Sequence, residues 1–457
     1  MPQKTNLGGV FMTDIDGGIG SGAMLSTENV CGLIIDTKIV GGLEKALNVT
    51  EASTAFANGN VVELNSIVDA KEVGITSELM YGLPYHHINH FFSLAGSNKR
   101  LFVSFMDSTT DSDFEAVERM QLASNGIIYQ IGVWTGTPIA TKAGDKYQVP
   151  DGSILSKLQL QAELLGGKVG ITNYEGNSPV NILVNAPILN EESVDYKKLP
   201  DIVTFGFEKV SMLIGQPASD AVHKIQYDIN HAINDTTNYA TVGNIGAALA
   251  CLAIAPADVS IANVGRFNLV SVMTTAELGF GNLVDNDSHD GYAESSSFTN
   301  IKTLGYTKRN TKIHQMGYIF LTDMDGIENG VFFSSDQTLS SGDYRLICRG
   351  RVMHKARRAV RLALLPYVNQ EWEVDTSTGF MSAADITTVQ NTMYYAIDNN
   401  MKQPGSTINQ ISGREVTIDP EQPILENDQL LASFGIVPKG LSSAIYVTEG
   451  FKATVSS

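Results

Sequence analysis

The stretch from residue 101 to 133 constrains this chain more than any other. Leu101–Met106 (LFVSFM) is a short, uninterrupted apolar run of the length and composition of a strand buried on both faces. A polar turn with Asp107, Thr110 and Asp111 follows. Ser112 and Glu115 then stand three apart as a capping box, Phe114, Val117, Met120 and Leu122 mark one apolar helix face, and Gly126 lies where a helix stops. A second apolar run at 127–133 (IIYQIGV) completes strand, helix and strand, which predicts a parallel pair with a right-handed crossover. The rhythm continues with a helix at 154–165 before Gly166-Gly167, strands at 180–184, 202–205 and 210–214, and helices near 219–233 and 242–254. The fold class read from this alternation is α/β, a mixed or parallel sheet flanked by helices on both faces.

The rest of the chain changes character. Residues 276–315 are rich in Asn, Asp, Ser, Gly and Thr with weak periodicity, and read as an irregular loop or a boundary. Beyond them the pattern predicts strands at 317–321 and 330–334, a long amphipathic helix at 344–368, a helix opened by Ser382 and Asp385 with Ile386, Val389, Met393 and Ile397 on one face, and an extended end at 441–451. The division expected is a short arm at 1–24, an α/β region at 25–275, the boundary at 276–315, a C-terminal domain at 316–440 and a strand arm at 441–457. VFMTDIDG at 10–17 is echoed by IFLTDMDG at 319–326.

Composition excludes several roles. A chain of 457 residues with 43% hydrophobic residues has the means to bury cores, which rules out disorder as a whole. The 31 Lys and Arg against 49 Asp and Glu give a net charge of −18, which repels phosphate backbones and anionic lipid, so neither nucleic acid nor direct membrane insertion is expected. The longest apolar stretch, 245–257, falls short of a membrane span and reads as a buried helix. The first residues, MPQKTNLGGV, lack an apolar signal core, and Cys31, Cys251 and Cys348 stand far apart with no CxxC pair. No structural disulfide is expected, and a reducing cytoplasm suits the chain.

Three motifs suggest chemistry. Gly18, Gly20 and Ala23 fit G-x-G-x-x-A, with Asp36 ending the later run GLIID where a ribose-binding acid would stand, the pattern of an NAD(P)-dependent oxidoreductase. Against it, Asp14 and Asp16 would face the pyrophosphate, and only 23–29 remain for a helix. The two D-x-D-G turns lack a third calcium ligand, since Gly18 and Ile327 occupy its place. His86, His87 and His90 lie in PYHHINHFF, two of them at helical i, i+4 spacing as metal ligands require, but Tyr85, Phe91 and Phe92 surround them and point to a packed helix. No nucleophile elbow, phosphate loop or zinc-protease motif is present.

The long helix at 344–368 is the physical anomaly. Between Arg345 and Arg361 it holds seven basic residues and no acidic one, so −25 is left on the remainder. Arg351, Lys355 and Arg358 form a charged stripe beside Val352, Ala356, Ala359, Val360 and Ala363. A helix dipole favours cations only in its last turn and does not account for the run. Pairing with the protein's own acidic surfaces or those of a second copy is the expected use, with nucleic acid the weaker alternative.

Taken in order, these segments resemble the contractile tail sheath proteins of bacteriophages and of contractile injection systems. The resemblance rests on VVELNSIVDAKEVGI at 61–75, YHHINHFFSLAG at 85–96, ALACLAIAPADVSIANVGRFNL at 248–269, GVFFSSDQTLSSGDYRLICRGRVMHKARRAVRLALLPYVN at 330–369 and SAIYVTEGF at 443–451. It implies a structural, non-enzymatic subunit without catalytic residues, cofactor or metal. Such a subunit stacks as hexameric rings into a helical homo-oligomer around an inner tube protein, meets baseplate and tail terminator proteins, and contracts. The particle would assemble in the bacterial cytoplasm. Carried over, Ala444, Ile445, Tyr446, Val447 and Thr448 would be a strand donated to a neighbour, residues 10–13 an N-terminal arm, and Arg351, Lys355 and Arg358 part of the subunit interface. The competing readings are the oxidoreductase above and a baseplate component with sheath-like domains.

Overall fold

The computed structural model describes residues 27–166, 178–190, 198–217, 219–232, 240–273, 278–280, 284–285, 292–293, 299–300, 312–324, 326–402 and 409–442. The chain separates into two compact units, residues 1–372 and 373–457. The expected boundary at 276–315 is therefore not where the chain divides. Leu278–Phe280 pairs antiparallel with Gln216–Pro217, and Tyr318–Ile319 pairs in parallel with Met212 and Leu213, so sheet hydrogen bonds carry the chain straight back into the first unit.

The first unit is built on a sheet of seven strands: β1 (Cys31–Asp36), β2 (Val62–Leu64), β3 (Leu101–Met106), β4 (Gln130–Trp134), β5 (Asn181–Asn185), β6 (Val210–Leu213) and β7 (Tyr318–Ile319). Their spatial order is β7-β6-β5-β4-β1-β3-β2, all parallel except the edge strand β2. Every residue of β1, β3, β4, β5 and β6 is buried, which is why these strands read as unbroken apolar runs and not as alternation.

Two helices on opposite faces follow from two glycines. Gly32 pairs with Ile131 and Gly132 with Leu33, so the glycines point to opposite sides of the sheet. A Cβ at Gly32 would stand 2.3 Å from Met120 of α2 (Ala116–Ala123), and one at Gly132 2.8 Å from Ile245 and Leu249 of the helix Ile245–Ile254. That second helix is apolar all round and buried from Ile245 to Ala253, as its sequence predicts. It is crossed closely by α1 (Leu83–Ala95), where a Cβ at Gly246 would lie 2.1 Å from the His87 carbonyl oxygen. Further helices are α3 (Ile154–Gly166) and α4 (Asp220–His231), so Ile245–Ile254 is α5.

Two local readings are corrected. Helix α2 begins at Ala116, and the carboxylate of Asp111, not Ser112, accepts the amides of Glu115 and Ala116 at 2.7 and 2.9 Å. Asp111 lies one residue earlier, and the left-handed Phe114 (φ 61°) turns the chain so that its oxygens reach those amides. Residues 203–205 form a 3-10 turn and not a strand, stopped by the left-handed Gly206. After β7 the hairpin β8 (Leu321–Thr322) and β9 (Phe332–Phe333) leads to the basic helix α6 (Ile347–Leu364).

The second unit has α7 (Ala383–Met401), β10 (Ile411–Ile418) and β11 (Ala432–Pro438). Ser382 Oγ accepts the Asp385 amide, and Ile386, Val389, Met393 and Ile397 are buried, both as the sequence predicts. The hairpin β10–β11 has no counterpart in the sequence reading: Gly413 and Gly435 and exposed polar positions break its alternation. Among the described residues no helix is long and apolar enough to cross a membrane. All three cysteines are buried thiols, with Cys31 and Cys251 pushed up to about 12 by burial, and none is in a disulfide.

Candidate functional site

Helix α6 lies along the amino-terminal ends of the parallel strands, and its cations bond there. The helix starts without a side-chain cap of its own. Asp336 supplies one: its main-chain oxygen accepts Ile347 N–H at 2.7 Å and its carboxylate accepts Cys348 N–H at 3.3 Å. Burial pushes that carboxyl group up from its ordinary value.

Arg351, Lys355 and Arg358 occupy one stripe, as the spacing predicts, but the stripe faces inward. Arg351 is fully buried. Its guanidinium donates to Leu252 O and Ala255 O at 2.9 Å, to Glu28 O at 3.0 Å and to Pro256 O at 3.3 Å. Three of these carbonyls close α5, so the cation caps a helix C-terminus, where unpaired carbonyls and the helix dipole both favour positive charge. Lys355 Nζ donates to Glu28 Oε2 at 2.8 Å, both side chains being 9% exposed. Arg358 donates to Ile128 O at 2.7 Å and Pro179 O at 3.0 Å and lies 4.1 Å from the ring centre of Tyr129. Burial pushes its guanidinium down to about 10. His354 Nε2 stands 3.1 Å from Lys209 Nζ, just before β6.

The expected role of these three cations at a contact with a second copy is thus corrected for the side chains themselves. Their charges are met inside their own subunit, by carbonyls at the end of α5 and just before β1, β4 and β5 and by the Glu28 carboxylate. Helical spacing gives the stripe but not its direction. The cations of α6 left partly exposed are Arg349, Arg357 and Arg361.

Breaking the Glu28–Lys355 pair tests this assignment. Lys355→Met removes the ammonium bonded to a buried carboxylate and is expected to cost about 3–5 kcal/mol, whereas adding Glu28→Gln to it should restore most of that loss. Urea midpoints of the two variants measure both effects, and a single variant as stable as the parent would contradict the pairing.

The carboxyl end of the strands is where an open α/β sheet commonly binds ligands, beside β1, whose neighbours in the sheet are β3 on one side and β4 on the other. Asp36 ends β1 there, fully buried. Its Oδ1 accepts Lys38 N–H at 3.1 Å and Ser108 N–H at 3.0 Å, and Oδ2 accepts Thr135 Oγ1–H at 2.6 Å. The carboxylate staples the loops after β1, β3 and β4 together and presents no oxygen to a ribose. Gly18, Gly20 and Ala23 lie outside the described residues, as do residues 10–13 and Ala444 to Thr448.

The histidines pack. His87 and His90 are buried in α1, and the rings of His86 and His90 are centred 4.1 Å apart. Burial lowers all three, His87 to about 3 and His90 to about 4. Among the described residues no cluster of three His, Cys, Asp or Glu is placed to hold a metal ion.

Residues 343–456 match the family model described as DUF2586, C-terminal domain. No curated protein matches the chain. Among solved structures, the sheath complex of an extracellular contractile injection system, PVC, in its contracted state is 9% identical, with a TM-score of 0.50 over 99% of both chains. The contracted helical sheath of the anti-feeding prophage (AFP) is 10% identical, with a TM-score of 0.49 over 98% of this chain and 100% of that one. The AFP baseplate chain is 12% identical, with a TM-score of 0.46 over 98% and 99%. From β1 through the hairpin of the second unit, this chain has the fold of a contractile injection system sheath protein.

Proposed function

We propose that this chain is a structural subunit of a contractile sheath, polymerising into a helical tube of six-membered rings around an inner tube and contracting to drive that tube forward. One observation carries the reading: the likeness to the PVC sheath runs over 99% of both chains and is not confined to one shared domain. The second unit supports it. The outer edges of β10 and β11 have no strand partner among the described residues, and Leu431 and Val437 are 67% and 57% exposed along that hairpin. Unpaired strand edges take up a further strand readily. In this reading Ala444 to Thr448 of one copy add to the β10–β11 hairpin of another, and residues 10–13 form a second arm. An inner tube protein, a baseplate and a tail terminator are the other partners, in a tail or injection particle. Contraction is a change between two packings of rigid subunits, so the function is mechanical.

Negative-stain microscopy of the purified full chain tests this: hollow tubes or stacked rings are expected, and a uniformly monomeric protein at high concentration would count against it. Truncation after Gly440 should leave a folded subunit that no longer polymerises. Ordered tubes from that truncated chain would remove strand donation at this end while leaving the sheath reading intact.

A further inference from the structure

The chain contains three Asn-Gly steps: Asn58-Gly59, Asn125-Gly126 and Asn329-Gly330. All three asparagines are exposed and left-handed, with φ of 56°, 53° and 56°. A glycine after asparagine puts no side chain of its own over its peptide nitrogen and leaves its backbone free to turn. The three steps differ in what holds that nitrogen. Gly59 N–H donates to Phe56 O at 3.2 Å, and burial does not separate this step from the third, since both Gly59 and Gly330 are buried. Gly126 N–H donates to Gln121 O at 2.7 Å and closes α2. No bond of comparable geometry holds Gly330 N–H among the described residues. Gly326 through Asn329 are all exposed, on the turn between β8 and β9 that carries the second D-x-D-G segment.

We propose that Asn329-Gly330 is a site of spontaneous deamidation, with water as the co-reactant. The Gly330 nitrogen attacks Asn329 Cγ, a C–N bond forms and closes a succinimide ring. The side-chain amide nitrogen leaves as ammonia, carrying the proton given up by the peptide. Water then adds to either ring carbonyl and opens it to aspartate or isoaspartate, with no change of oxidation state. At Asn58 and Asn125 the same attack first requires breaking a hydrogen bond of the fold.

The product matters for the core. Aspartate adds a negative charge to a turn that already holds Asp323 and Glu328. Isoaspartate inserts a methylene into the main chain between strands registered Leu321 to Phe333 and Thr322 to Phe332, and both phenylalanines are buried.

The test is to incubate the full chain at neutral pH and body temperature and to map its peptides by mass spectrometry, with isoaspartyl methyltransferase labelling for the isomer. Asn329 is expected to convert first while Asn58 and Asn125 keep their amides, and in urea all three should convert at comparable rates. Conversion led by Asn58 or Asn125 in the folded chain would overturn the proposal, as would an Asn329 that keeps its amide under conditions that convert it in urea.

Discussion

Arg351→Met is expected to abolish soluble, folded first unit, or to lower its stability by about 5 kcal/mol or more. The guanidinium makes four hydrogen bonds to main-chain carbonyls, and bonds from a charged donor contribute about 1.5–3 kcal/mol each, less than additively. A methionine fills the volume but takes the charged donor from the Leu252 and Ala255 carbonyls at the end of α5, while Pro256 O keeps the Val259 amide. Domain stabilities are themselves only about 5–15 kcal/mol, so one such loss takes a large share. Arg351→Lys should be intermediate, because an ammonium keeps the charge but lacks the planar fork that reaches separated acceptors. Soluble yield and the urea midpoint read the series. A methionine variant with a midpoint like the parent's would mean that water or a neighbouring side chain replaces the arginine, and that α6 does not clamp the sheet.

Acid is expected to release α1 from α5 before it disrupts the second unit. His86, His87 and His90 are held neutral by burial, with His87 at about 3 and His90 at about 4 against an ordinary 6.5. In the unfolded chain these imidazoles take protons near the ordinary value. The stability they permit is therefore full above about 6.5 and declines as the pH falls through the gap towards the folded values. A tenfold difference in proton affinity between the folded and unfolded chain is worth about 1.4 kcal/mol, so the shift of His87 from 6.5 to about 3 accounts for about 5 kcal/mol at the acid end. The surroundings offer little relief beyond the backbone at Val242, which favours the charged form of His87. α5 presents Gly246 and aliphatic side chains, the turn Leu79–Gly82 is apolar, and Lys71 of the helix Ile67–Glu72 lies 5.7 Å from the Tyr85 ring centre. Circular dichroism against pH, at a fixed moderate urea concentration, should show a steep loss that flattens in the triple variant His86→Phe, His87→Leu, His90→Leu. An unchanged slope in that variant would place the acid lability in the carboxylates instead.

Much of the sheet was legible because its residues obey one simple rule. LFVSFM, QIGVW, NILVN and VSML are buried on both faces, so hydrophobicity alone marks them, and IGAALACLAI announces a helix with no wet side. Ser382 marks the start of α7 because a cap is a local contact. The hairpin of the second unit was not legible, since Gly413, Gly435 and exposed polar residues such as Ser433 break its alternation. Asp111 and Asp36 escaped their true roles for a related reason: a carboxylate that accepts amides from another loop looks, in sequence, like any turn residue.

By itself the sequence determined an α/β chain with alternating strands and helices, a buried apolar helix, a long cationic helix and a capped helix after it, because each of these depends on periodicity and neighbours a few residues away. The tertiary structure alone decided where the cations point. Arg351 meets carbonyls at 252, 255 and 256, and Lys355 meets Glu28, more than three hundred residues away along the chain. Helical spacing places charges on a common face, but only the packing of α6 against the strand ends makes that face the inside of the subunit.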